Sequence, residues 1–150
     1  MRILVIGAGA TGGYFGARLA QAGRDVTFLL RPARAAAVRA NGIRLTGQGP
    51  DEAVPVTVVT AAEITDPYDL VLVTVKNGAL ESAMDDMAPA VGPGTLIVPF
   101  LNGMSHLDRL NHRFGVSAVL GGVVIVAGEQ RRDLERLGGL RGGGRDARHR

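Results

Sequence analysis

Three glycines near the amino terminus carry the first chemical signal. Gly7-Ala8-Gly9-Ala10-Thr11-Gly12 has the spacing G-x-G-x-x-G. It follows the apolar run Ile3-Leu4-Val5-Ile6 and precedes apolar residues at helical spacing (Phe15, Leu19, Ala22). It therefore reads as a turn joining a strand to a helix. In that context Gly7 permits the tight turn, Gly9 lets the backbone approach a pyrophosphate, and Gly12 lets the helix pack against the strand. Free N–H groups and the positive end of the helix attract the anion. The plainer alternative is a glycine-rich turn with no ligand.

Three further positions could work with such a turn. A dinucleotide site of the NAD type places an acid about 20 residues on, to hold the ribose 2′-hydroxyl. Here that place holds Leu30-Arg31, Arg34 follows one helical turn later, and no acid lies between Asp25 and Asp51. A guanidinium pairs with a 2′-phosphate in forked geometry, so the pattern points to NADP. Solvated surface arginines are the alternative. Lys76, the single lysine of the chain, ends the strongest apolar run. It is either a solvated residue or a cation beside the cofactor or an anionic substrate. Asn102-Gly103 is either a turn or an amide that orients a substrate carbonyl or the nicotinamide ribose. His106 and His112 do not share a helix face and are read as structural. No metal ligand set is expected.

These residues need elements to position them. Apolar runs at 2–6, 26–30, 69–75, 95–99 and 117–126 read as strands. Helices are expected at 14–22, 33–40, 78–90 and 103–113, with short strand-like pieces at 43–46 and 54–60. Gly92-Pro93-Gly94 reads as the turn that ends the third helix. Strands alternating with helices predict an α/β fold with a doubly wound parallel sheet, a Rossmann-like dinucleotide-binding domain. In that architecture ligands bind at the carboxyl ends of the strands. Gly7–Gly13, Arg31, Lys76 and Asn102 each lie just past one.

The composition excludes other chemistry. The 150 residues amount to one domain and contain no cysteine. Disulfides, thiolate metal sites and a cysteine nucleophile are out, which fits a reducing compartment. Seven arginines and four acids fall in 129–150, which leaves ten groups of each sign in 1–128. The net charge of +3 thus belongs to an Arg/Gly-rich tail, expected to be irregular, and nucleic-acid binding by the folded part is not expected. No apolar run reaches about 18 residues, so no membrane partner is expected. Ala20-Gln21-Ala22 imitates a signal-cleavage site, but glycines interrupt the apolar run before it. A cytoplasmic location is the default.

Taken together, these motifs resemble the N-terminal half of the ketopantoate reductase (2-dehydropantoate 2-reductase) family. The resemblance rests on Gly7–Gly12, Arg31, Thr74-Val75-Lys76, Asn102-Gly103-Met104 and Leu120-Gly121-Gly122-Val123, and covers about residues 1–128. It implies NADPH-dependent reduction of ketopantoate, a small 2-keto acid, to pantoate on the way to pantothenate and coenzyme A. It also implies site roles: Gly7–Gly12 at the pyrophosphate, Arg31 at the 2′-phosphate, Lys76 and Asn102 at the cofactor, Asn102 also at the substrate, and Gly128 near the nicotinamide.

The family's second, helical domain carries the proton donor, and the sequence after Gly128 does not resemble it. The expectation is a truncated chain with little activity alone and no catalytic residue of its own. A homo-oligomer or a separate chain supplying the helical half would be its partner. Two other readings stay open: a fragment of another NADP-dependent hydroxyacid dehydrogenase, or a non-catalytic dinucleotide-binding module.

Overall fold

A computed structural model describes residues 1–47 and 49–122. The chain forms β1 (Arg2–Ile6), α1 (Ala10–Gln21), β2 (Asp25–Leu29), α2 (Pro32–Asn41), β3 (Ile43–Leu45), β4 (Glu52–Val54), β5 (Thr57–Val59), β6 (Tyr68–Val73), α3 (Leu80–Met87), β7 (Val91–Pro99) and α4 (Ser105–Phe114). Five strands make one sheet in the order β5-β2-β1-β6-β7, and every pairing in it is parallel. The expected α/β sheet is present.

β1 sits at the centre because both its faces are apolar. Ile3 and Val5 pack on the side of Phe28, Ala35 and Val38, while Leu4 and Ile6 pack on the side of Leu80, Met84 and Leu110. Alternate side chains of a strand point to opposite faces, so one short run fills two cores. A continuous apolar run, rather than an alternating one, is what a strand covered on both sides requires.

Four local expectations need correction. The piece at 54–60 is two strands, not one. β4 pairs antiparallel with β3 in a separate ribbon, and β5 joins the main sheet next to β2. Pro55, which has no N–H to give a ladder, lies between them. The helix expected at 78–90 is α-helical only over Leu80–Met87, flanked by 3-10 turns at Asn77–Ala79 and Ala88–Ala90. Pro89 lacks a donor, which keeps the α-helix from continuing. Gly92-Pro93-Gly94 is not a turn before a strand but lies inside β7. The register there jumps from Tyr68↔Val91 to Leu70↔Leu96, a bulge fastened by Thr95. The Thr95 hydroxyl accepts from the Gly92 N–H (2.9 Å) and donates to the Tyr68 carbonyl (2.6 Å). The strand expected at 117–126 is, among the described residues, a single parallel bridge of Val119 to Ile97. Its remainder, Gly128 and the tail at 129–150 lie outside the described residues.

The 3-10 turn after β5 carries a pH-sensitive contact. Glu63 Oε2 accepts from the Thr60 N–H (2.6 Å), the Thr60 hydroxyl (3.0 Å) and Arg39 (2.6 Å). The Thr60 backbone bond, then Arg39 and the Thr60 hydroxyl, hold this carboxyl below its ordinary value. A carboxylate favoured in the fold stabilises it above the unfolded pKa of about 4.3, and that stabilisation fades as pH falls through the folded value. Glu63→Gln is therefore expected to lower stability at neutral pH and to converge with the parent in acid. Urea titrations of both proteins across a pH series check this. A gap that does not narrow in acid would assign the effect to packing.

Candidate functional site

The glycine turn takes its shape from close contacts. Gly7 has φ +94°, a conformation that a side chain disfavours. At Gly12 a Cβ would lie against Thr74 Oγ1 and only 2.7 Å from the Gly7 carbonyl oxygen, so α1 starts directly on the turn. Thr74 is the partner on the neighbouring strand end. Its hydroxyl donates to the Ile6 carbonyl (2.7 Å) and its N–H to the same oxygen (3.1 Å). Gly9 differs from both, because a Cβ there meets nothing within 4 Å. Gly9 is the residue just before α1 and brings no side-chain cap, so the first N–H groups of the helix have no side-chain partner there.

A cleft of about 390 Å³ opens beside this turn. Gly7, Ala8 and Gly9 form one wall, Leu29, Leu30, Arg31 and Arg34 the second, and Val75, Ala79, Ser82, Ala83 and Asp86 the third. Arg31 stands at the residue just before α2 without capping it, and its side chain reaches across to α3, where its Nη2 donates to Ser82 Oγ (3.3 Å). Arg34, one turn along α2, points its Nη2 back to the Ala8 carbonyl (3.5 Å). Both guanidinium groups thus stand at the end of β2 where an acid was absent from the sequence.

A second cavity, of about 610 Å³, lies on the other side of Thr11. It is lined by Phe100–Met104, His106, Leu107, Gly121 and Gly122 as well as Thr11. Asn102 is exposed in the loop after β7, and its carbonyl accepts from Asn77 Nδ2 (3.2 Å). That bond ties the loop after β6 to the loop after β7. His106, read as structural, is a cavity wall: it is 3% exposed, burial pulls its pKa below the ordinary imidazole value, and its Nδ1 has no partner among the described residues.

The structure therefore brings Gly7, Ala8, Gly9 and Arg31 together around the first cleft, and Thr11 and Asn102 around the second. Gly12 is buried where α1 meets Thr74. Ala10, exposed at the start of α1, and Lys76, exposed just before the 3-10 turn at Asn77, line neither cavity. Sequence reasoning missed Ser82 and Asp86. Their only signal was their spacing, which places residues four apart on one helix face once α3 is known.

A parallel sheet in this order, with a glycine turn at the end of its central strand and a cleft at the strand carboxyl ends, defines a Rossmann-like domain of the dinucleotide-binding class. Residues 3–136 match the family described as Ketopantoate reductase PanE/ApbA, and the chain belongs to it as its N-terminal domain.

A 2-dehydropantoate 2-reductase of Mesorhizobium japonicum is 40% identical over 105 residues, covering 69% of this chain and 32% of the relative. The crystal structure of 2-dehydropantoate 2-reductase from Geobacter metallireducens GS-15 superposes with a TM-score of 0.76 at 35% identity, over 87% of this chain and 43% of that one. A D-mandelate dehydrogenase in ternary complex with NADH and anilino(oxo)acetate gives a TM-score of 0.76 at 25% identity, over 82% and 40%. The chain spans less than half the length of each of these proteins.

Proposed function

We propose that this chain binds NADPH and serves the reduction of a 2-keto acid, 2-dehydropantoate, to its 2-hydroxy acid. The observation that carries this reading is the pair of guanidinium groups, Arg31 and Arg34, at the end of β2 beside an uncapped glycine turn. When bound, the dinucleotide supplies a hydride. The chain's own residues hold it. In this reading the turn at Gly7–Gly12 receives the pyrophosphate, because an amino-terminal helix end with open space above Gly9 offers N–H groups to an anion. Arg31 and Arg34 receive the 2′-phosphate. Thr11 and Asn102 flank the cavity for the nicotinamide end and the substrate carbonyl, with Lys76 as an outlying cation and Gly128 as a further neighbour. Residues 1–128 form the binding unit.

Hydride transfer leaves charge on the carbonyl oxygen, and an acid must deliver a proton there. Among the described residues lining the second cavity only His106 has an ionisable side chain, and burial lowers its pKa and so favours the neutral imidazole. This lining supports a proton donor that comes from outside residues 1–122. The family match supports 2-dehydropantoate as substrate and pantoate as product, in this reading a step toward pantothenate and coenzyme A.

A second reading keeps the cofactor half and changes the acid. The likeness to D-mandelate dehydrogenase, a 2-hydroxyacid enzyme crystallised with NADH, supports it. Fluorescence titration of the purified chain with NADPH and NADH tests the cofactor half. Tighter NADPH binding is expected, and equal or tighter NADH binding would overturn the NADP reading. Saturation-transfer NMR of the NADPH-loaded chain with ketopantoate and with phenylglyoxylate separates the two acids.

A further inference from the structure

Four asparagines occur in the chain, and three of them precede glycine: Asn41-Gly42, Asn77-Gly78 and Asn102-Gly103. An asparagine in this position can lose its side-chain amide without an enzyme. The backbone nitrogen of the next residue gives up its proton and bonds to the side-chain carbonyl carbon. The bond from that carbon to the side-chain nitrogen breaks, and ammonia leaves. Water then opens the cyclic imide, to aspartate at one carbonyl or to isoaspartate at the other. Glycine speeds the closure because it has no Cβ to restrict the backbone. Backbone and side chain must both turn for the two atoms to meet, so hydrogen bonds on either oppose the reaction.

The fold treats the three pairs differently. Asn41 ends α2, where its Nδ2 donates to the Ala37 carbonyl (3.1 Å). The Gly42 N–H, the group that must attack, donates to the Val38 carbonyl (2.8 Å). Gly42 is also pressed against Val54, whose carbonyl oxygen would lie 2.6 Å from a Cβ. Asn77 is held by one bond, from its Nδ2 to the Asn102 carbonyl (3.2 Å). Asn102 and Gly103 are both exposed. Among the described residues, neither the Asn102 side chain nor the Gly103 N–H makes a hydrogen bond. Nothing lies within 4 Å of a Cβ built at Gly103. Three identical dipeptides thus carry two restraints, one and none.

We propose that Asn102 is a site of spontaneous deamidation, which puts a carboxylate on the wall of the second cavity. Among the described residues lining that cavity there is no Asp, Glu, Lys or Arg. The new charge therefore has no counter-charge in the lining, and it repels an anionic keto acid. That consequence rests on the function proposed above, whereas the modification itself does not. The isoaspartate form also lengthens the backbone by one carbon, in the loop that Asn77 ties to the turn after β6.

Ageing the full chain at mildly alkaline pH, with conversion at each asparagine followed by fragment-ion mass spectrometry, tests the site. Each hydrogen bond that must open first slows closure by roughly fivefold. Asn102 should convert first, with Asn77 about fivefold and Asn41 about twenty-fivefold slower. In concentrated urea the three rates should converge, because the restraints are gone. Conversion of folded Asn41 or Asn77 that matches or outpaces Asn102, or a ranking that survives in urea, overturns the assignment. Saturation-transfer NMR of the NADPH-loaded chain with ketopantoate reads the consequence. Asn102→Asp should lose signal relative to the parent, and the loss should lessen as salt rises. An undiminished signal, or a loss indifferent to salt, overturns the charge effect. No signal from the parent overturns the keto-acid reading, and the repulsion with it, while the mass spectra still decide the site.

Discussion

Replacing Arg31 and Arg34 together by alanine should weaken NADPH binding by about a hundredfold while changing NADH binding by no more than about threefold. The two dinucleotides differ only in the 2′-phosphate, so the difference isolates what the guanidinium groups do there. Hydrogen bonds to charged groups contribute about 1.5–3 kcal/mol each, and the lower end applies because both side chains are exposed and solvent screens them. Two such contacts correspond to roughly two decades in affinity. The NADPH preference should also shrink as salt rises, since exposed charges are screened.

Single variants divide the effect. Arg31→Lys keeps the charge but loses the fork, and should fall between the parent and Arg31→Ala. Arg34→Ala also removes the contact to the Ala8 carbonyl, so some NADH affinity should go with it. Parallel calorimetric titrations at two ionic strengths measure all of this. Equal losses for NADPH and NADH in the double variant would show that the arginines shape the turn rather than read the phosphate.

The largest effect on stability is expected at Phe28, which is fully buried in β2 with its ring against α1. The contact is possible because residue 16 is glycine. A Cβ there would overlap the ring tip, with Cε1 at 2.9 Å. Phe28→Ala should cost about 3–5 kcal/mol, a large share of the roughly 5–15 kcal/mol that holds a domain.

The sharper outcome is a change of sign. In the parent, Gly16→Ala should destabilise by about 1–3 kcal/mol through overpacking. In the Phe28→Ala background the overlap is gone, and helix propensity favours alanine over glycine by up to about 1 kcal/mol. Gly16→Ala should then be neutral or stabilising. A double-mutant cycle by urea denaturation measures the coupling, and additive values would show that the ring moves aside freely. The contact matters for the site because α1 begins at the glycine turn and β2 ends just before Arg31. Their separation is set at Phe28.

The parts of this fold that were legible in the sequence are those where one residue type has one physical reason to be present. The run Ile3–Ile6 signals a strand covered on both faces, and it is the central strand. Gly7 and Gly12 signal a turn that side chains would block, and the backbone angle and the Thr74 contact bear this out. Arg31 stands out as the wrong charge for an NAD site. What was not legible depends on contacts made at a distance. Nothing near Thr95 announces that its hydroxyl fastens a bulge to Tyr68 and so draws Gly92-Pro93-Gly94 into a strand. Asp85 and Asp86 are neighbours of identical type, and only the placement of α4 shows that one pairs with Arg113 while the other faces the cleft. His106 reads as structural from the sequence, and only the fold shows that it also walls a cavity.

The contact of Arg39 with β5 has a meaning beyond the stability of one turn. β5 is the outer strand of the sheet on that side, three residues long. The Val59 carbonyl accepts from Leu30 on the β2 side, so the Val58 carbonyl faces away from the sheet. Arg39 Nη2 donates to it (3.0 Å) while Glu63 holds the guanidinium in place. An outer strand with free carbonyls is a template on which another chain can add itself. Here the carbonyl at the middle of the strand is already taken, so the ion pair works as a stopper against strand-by-strand polymerisation. Protonation of Glu63 removes the anionic partner of Arg39, so the cover over this strand edge weakens together with the turn.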